Sequence, residues 1–179
     1  SGSNDLPMYA AKFVGGDIQV GVNDTGHDVT FYGAAAGALM MWDQSADALL
    51  VRGATADHAT TSAGKLVLQT AQVAVTDGDR IGQIDFQAPA ESSGTDAILV
   101  GASIWAESDS TYAATDNQTE LVFATAGSEL AAEQMRLTWD GKLGINTATP
   151  AYLLDVQGTV GITGATTHIG AITVGVDGT

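Results

Sequence analysis

The chain has no cysteine, which excludes disulfides and thiolate metal sites. Basic residues are scarce: 6 Lys and Arg stand against 21 Asp and Glu, for a formal net charge of −15. A surface that neutralises phosphates needs clustered cations, so no nucleic-acid partner is expected, nor an anionic membrane surface. No stretch approaches the roughly twenty apolar residues of a membrane span, and the opening residues show no signal-peptide pattern. Only 6% of the 179 residues are aromatic, although 45% are hydrophobic. Alanine and valine supply much of that apolar content, which suits thin layers or a threefold axis better than a thick core.

Helical periodicity is also missing. The one candidate helix, residues 128–134, is short and runs straight into a strand pattern. Elsewhere, alternating runs of four to ten residues are broken by Gly, Asp, Asn, Ser and Thr, which predicts an all-β chain. After a tag scar and lead-in (residues 1–12), residues 13–64 read as a β shaft module and linker. In it Ile18, Val20 and Val22 alternate, and Val29 and Phe31 continue beyond a turn. Residues 39–42 and 48–52 flank the turn 43–47, and the Ala/Thr-rich tract 53–64 reads as a slender connection. Residues 65–146 read as a strand-rich knob. It has short strands at Leu66/Leu68 and Val73/Val75, then one around Ile84 and Phe86, a central strand over 97–106 and another over 121–125. Residues 147–179 read as a Gly/Thr-rich stalk after a short strand at 152–156. The octapeptide at 18–25 echoes at 172–179, as if another shaft repeat begins there.

The segment Met135-Arg-Leu-Thr-Trp-Asp-Gly-Lys-Leu-Gly-Ile145 predicts a hairpin. A two-residue Asp140-Gly141 turn would split its aliphatics between two faces. A three-residue loop over 139–141, with Gly141 left-handed, instead pairs Leu137 with Leu143 and Met135 with Ile145. The second choice places four aliphatics on one face and pushes Trp139 out to the turn.

Several stretches resemble the tail-fibre and virion-fibre proteins of tailed bacteriophages. Gly21-Val-Asn-Asp-Thr-Gly-His-Asp-Val-Thr-Phe-Tyr-Gly33, with Met41-Trp-Asp-Gln-Ser-Ala-Asp-Ala-Leu-Leu-Val51, is similar to their shaft module. Arg80-Ile-Gly-Gln-Ile-Asp-Phe86 and Leu121-Val-Phe-Ala-Thr125 are similar to their knob. The 135–145 hairpin, Thr149-Pro150 and Leu154-Asp-Val-Gln-Gly158 are similar to its end. The resemblance implies an elongated, intertwined homotrimeric fibre with a β-sandwich or β-prism-like knob. It implies a place on the virion surface after assembly in the bacterial cytoplasm, with other virion proteins and a host surface glycan or protein as partners. The implied function is structural: a tail or head fibre that supports host attachment. A trimeric cell-surface adhesin, a glycan-binding module and a polysaccharide-degrading tailspike are the alternatives.

No catalytic role is expected. The chain has no G-x-S-x-G elbow, and His27, His58 and His168 lie far apart without ligand spacing. Three copies of His168 on an axis could face one metal ion, but the H-x-H spacing usual for that is missing. No cofactor is expected either. Asp24 with Asp28, and Asp77 with Asp79, are weak calcium candidates, because two carboxylates and nearby carbonyls could begin an oxygen-rich site. Turn formation is the better account of these residues, since Asp side chains bond to nearby backbone amides. Trp42 and Trp105 sit in strand patterns and read as core. Trp139 beside a turn and Tyr112 in a polar loop are the candidate glycan contacts.

Overall fold

The computed structural model describes residues 18–56, 60, 62–87 and 94–163. His58, His168 and the echo at 172–179 lie outside the described residues. The fold is all-β: nine strands form two sheets, and a single 3-10 turn at Asp96–Ile98 is the one helical piece among the described residues. The chain divides into two compact units between Val67 and Leu68.

The first unit holds one antiparallel sheet of β1 (Val29–Tyr32), β2 (Leu39–Asp43) and β3 (Ala48–Arg52), in that order. The β2–β3 turn forms because Asp43 accepts hydrogen bonds from the amides of Ser45 and Ala46 and from the Ser45 hydroxyl. Those bonds hold its carboxyl below the ordinary value, the Ser45 hydroxyl contributing most. Ile18 and Val20, expected in a strand, have no strand partner; Val22 and Thr25 form only an isolated bridge around the Asp24 turn. The tract 53–64 does not simply lead away. Thr55 donates to the Ala36 carbonyl from both its amide and its hydroxyl, and Gly64 lies against the Val51 backbone.

The second unit holds a six-stranded sheet whose strands follow chain order: β4 (Arg80–Gln87), β5 (Val100–Ser108), β6 (Thr119–Thr125), β7 (Ala132–Leu137), β8 (Leu143–Ile145) and β9 (Leu154–Val156). Every pairing is antiparallel except β8 with β9. The strand at 154–156, expected in the stalk, thus extends this sheet. Pairing on both sides makes β5 an interior strand, as expected, but the cover on both faces that its two-sided apolar pattern predicts is present only on the Trp105 face among the described residues. It begins three residues later than expected, because residues 96–98 turn first.

Two expected short strands and the candidate helix are absent. Leu66, Leu68 and Val73 are exposed and belong to no strand, since alternation alone supplies no hydrogen-bonding neighbour. Residues 128–134 form no helix: β7 starts at Ala132, where pairing with β6 overrides the helix preference of Leu, Ala, Glu and Gln.

The 135–145 hairpin adopts the three-residue loop. Met135 pairs with Ile145, Arg136 with Gly144 and Leu137 with Leu143. The Gly141 amide donates to the Thr138 carbonyl, and Gly141 has φ 83°. Beyond it, Asp155 accepts from the Ala151 amide and Asn146 donates its side-chain amide to the Gln157 carbonyl, fastening β9 alongside β8.

Candidate functional site

The registers sort each sheet into two faces. In the six-stranded sheet, one row across the strands reads Ile84, Ile104, Phe123, Met135, Ile145, Val156. The next reads Gly82, Ala106, Leu121, Leu137, Leu143, Leu154. Neither row contains a charge. The opposite face carries Gln83, Trp105, Val122, Arg136, Gly144 and Asp155 in one row, with Glu107 paired to Glu120 beside it.

Burial runs against first expectation. The polar face is the closed one: Trp105, Val122, Ala124, Ser103 and Glu120 are all buried. Long polar side chains of the same face close over it. Arg136 is ion-paired to Glu107 at 3.3 Å, to Glu133 at 2.7 Å and to Glu120. Arg80 lies 4.0 Å above the Trp105 ring, a cation–π contact, and the Trp105 indole N–H donates to Glu107 at 2.9 Å. Partial burial, and then the nearby charge of Glu107, raise the Glu133 carboxyl above its ordinary value of 4.5. At the rim, the Ser103 hydroxyl donates to Asp85 at 2.6 Å and, more than any other contact, holds that carboxyl low. One guanidinium thus ties together three carboxylates from β5, β6 and β7, and the network braces the sheet.

The apolar face is open by contrast. Ile84, Phe86, Leu121, Leu137, Ile145 and Leu154 are all exposed. The first unit repeats this pattern in miniature. Val29, Trp42 and Leu49 form one row and Phe31, Met40 and Val51 the next, and four of these six are exposed. Trp42, expected in the core, is 43% exposed because no second layer covers the three-stranded sheet among the described residues of its unit. Trp105 is buried as expected, on the polar face.

The calcium candidates are occupied with turns. Asp79 accepts from the Thr76 amide and hydroxyl and from Gln72, and the Thr76 bonds hold its carboxyl low. Asp77 occupies that same turn, closed by the Asp79 amide on the Thr76 carbonyl. Asp28 accepts from the Gln44 amide, and Asp24 sits in a left-handed turn position with φ 65°. Among the described residues, no group of three or more acids and histidines is gathered that could hold a metal ion.

Trp139 is exposed, as its place beside the turn predicts. Tyr112 is only half-buried, and its hydroxyl is engaged with Thr119, so it is a brace for its loop and not an open platform. Sequence reasoning missed the Arg136 network and the amides of Asn117 and Gln118 beside Trp139. One signal was visible: Arg136 spends one of only six cations in a strand interior.

No protein-family model matches the chain, and no curated protein matches it.

Proposed function

We propose that the chain is a structural segment of a homotrimeric fibre, of the kind borne as a tail or head fibre by a tailed phage, and that it has no catalytic role. The observation that carries this reading is the pair of uncovered apolar sheet faces. Contiguous apolar patches of this kind mark association surfaces. Among the described residues each unit contains one sheet, so no described strand of the same unit supplies a second layer over its apolar face.

The occupant proposed is the same face of two further copies. In a chain with net charge −15, the two central rows of the large sheet and both rows of the small one carry no ionisable residue. Copies of such faces meet without like-charge repulsion, whereas the rest of the acidic surface opposes other contacts. Three copies packed this way make a prism whose polar faces point outward. The three stretches that resemble phage fibre proteins supply the threefold stoichiometry and the virion-surface location, with host attachment as the role supported.

Electrophoresis of the purified chain without boiling, in mild detergent, tests the reading. A band at three times the 18.2 kDa chain mass is expected. A band at the chain mass alone, matched by a monomer in native mass spectrometry, overturns it.

A further inference from the structure

We infer that the Trp139 turn and the loop 109–118 together form a binding site for a neutral saccharide. Trp139 stands between two recesses. The larger, about 590 Å³, is lined by Thr115, Asp116, Asn117, Gln118, Thr119 and Trp139. The smaller, about 230 Å³, puts Asp109, Glu120, Asp140 and Lys142 on its lining, again with Trp139.

The chemistry of the lining selects the ligand. An exposed indole offers an apolar face to the C–H face of a pyranose ring, and few other soluble ligands pair such a face with a rim of hydroxyls. The side-chain amides of Asn117 and Gln118 make no hydrogen bond among the described residues, so their donors and acceptors are free for hydroxyls. Thr115 adds a further hydroxyl. Glu120 is paired with Arg136 and Asp140 with Lys142 at 2.9 Å, so among the described residues Asp109 and Asp116 are the carboxylates left without a cationic partner across the two recesses. That excess of negative charge repels uronates, sialic acids and phosphorylated sugars, which leaves neutral saccharides.

The site is held in shape before any ligand arrives. Asp116 accepts from the Ser110 hydroxyl at 3.0 Å and from the Gln118 amide at 3.2 Å. The Asp109 amide donates to the Gln118 carbonyl, Ala113 and Asp116 exchange backbone bonds, and the Tyr112 hydroxyl is tied to Thr119. On the hairpin side, the Thr138 hydroxyl lies 2.6 Å from Asp140 and 3.1 Å from the Lys142 carbonyl as donor, and accepts from the Lys142 amide at 2.9 Å. Preorganisation of this sort lowers the ordering cost of binding. Glu120 belongs to the polar face, so the Trp139 wall rises on the side of the sheet that the proposed trimer leaves in solvent. The inference rests on this loop geometry alone.

Saturation-transfer NMR on the full chain tests it, with neutral gluco-, galacto- and manno-oligosaccharides and with oligogalacturonate as the acidic probe. At least one neutral oligosaccharide is expected to receive saturation, with an affinity of about 0.1–10 mM. Trp139→Ala should weaken it about tenfold or more, Trp139→Phe much less, and Asn117→Ala by about threefold. Oligogalacturonate should not bind. Because Trp139 lies in a turn outside the strands, all variants should keep the parent's mass in light scattering. No transfer from any neutral probe, undiminished binding in Trp139→Ala, or a preference for oligogalacturonate would each overturn the inference. None of those results bears on the mass of the assembly, so a failed sugar site and a failed fibre reading are told apart.

Discussion

The two units solve the same packing problem to different depths. The small sheet of β1–β3 carries an apolar face of Val29, Phe31, Met40, Trp42, Leu49 and Val51, and of its strand residues only Leu39 is buried. The large sheet of β4–β9 has an equally bare apolar face, but it closes its other side with Arg136, three glutamates and the Arg80–Trp105 stack. The difference teaches that charged side chains can roof one side of a single sheet when register places them in adjacent strands. The small sheet has no such roof among the described residues, and both of its apolar rows stay largely open.

The most damaging way to break that contrast is to remove the keystone of the roof. Arg136→Ala strands three carboxylates on a closed face, and losing one partner of a buried ion pair costs about 3–5 kcal/mol. Hydrogen exchange should show β5–β7 opening while β1–β3 keep their protection; equal loss in both units would deny that the network belongs to the large sheet. Gly144→Ala comes next. A Cβ there would meet the Thr147 carbonyl at 2.4 Å and crowd Pro150, and overpacking of this sort costs about 1–3 kcal/mol. The expected sign is selective fraying of β8 and β9 in exchange or thermal melts, with β4–β6 unaffected.

Acidity gives a subtler separation. The Glu133 carboxyl is raised in the folded chain, so the fold binds its proton more tightly than the unfolded chain does. That contribution increases stability as pH falls from neutral towards 4.5. Asp43, Asp79, Asp85 and Asp140 are lowered, and what they contribute is present above 3.8 and lost as pH falls below it. The large unit should therefore be most stable at mildly acid pH, and Glu133→Gln should abolish the rise on its acid approach. A melting profile that is flat in both proteins counts against the closed network. The smallest effect is expected from Asp43→Ala, which frees the β2–β3 turn amides of Ser45 and Ala46. Exchange should quicken at that turn alone, and a global change in melting would contradict the local role given to it.

Much of this architecture was legible in the residues because turns and alternation are local. Asp43 and its neighbours mark the β2–β3 turn, and Ile84 and Phe86 alternate through β4. Gly141 sets the hairpin register, since only the three-residue loop gathers Met135, Leu137, Leu143 and Ile145 on one face. What escaped depends on partners distant in sequence. Leu66 and Val73 alternate as strands do, yet find no neighbour to bond with. Residues 128–134 prefer helix until β6 offers pairing. The Arg136 network becomes visible only when β5, β6 and β7 bring Glu107, Glu120 and Arg136 into adjacent positions. Trp139 was legible as a turn residue, but its recess needed the loop 109–118 placed beside it.

Hydroxyl-radical footprinting of the three tryptophans tests the central claim most directly. In the single chain Trp42 is 43% exposed, Trp139 53% and Trp105 6%. If the apolar faces are buried between copies, Trp42 should be protected almost as well as Trp105 while Trp139 reacts freely. Equal labelling of Trp42 and Trp139 would mean that the faces stay bare, and the trimeric account would fall.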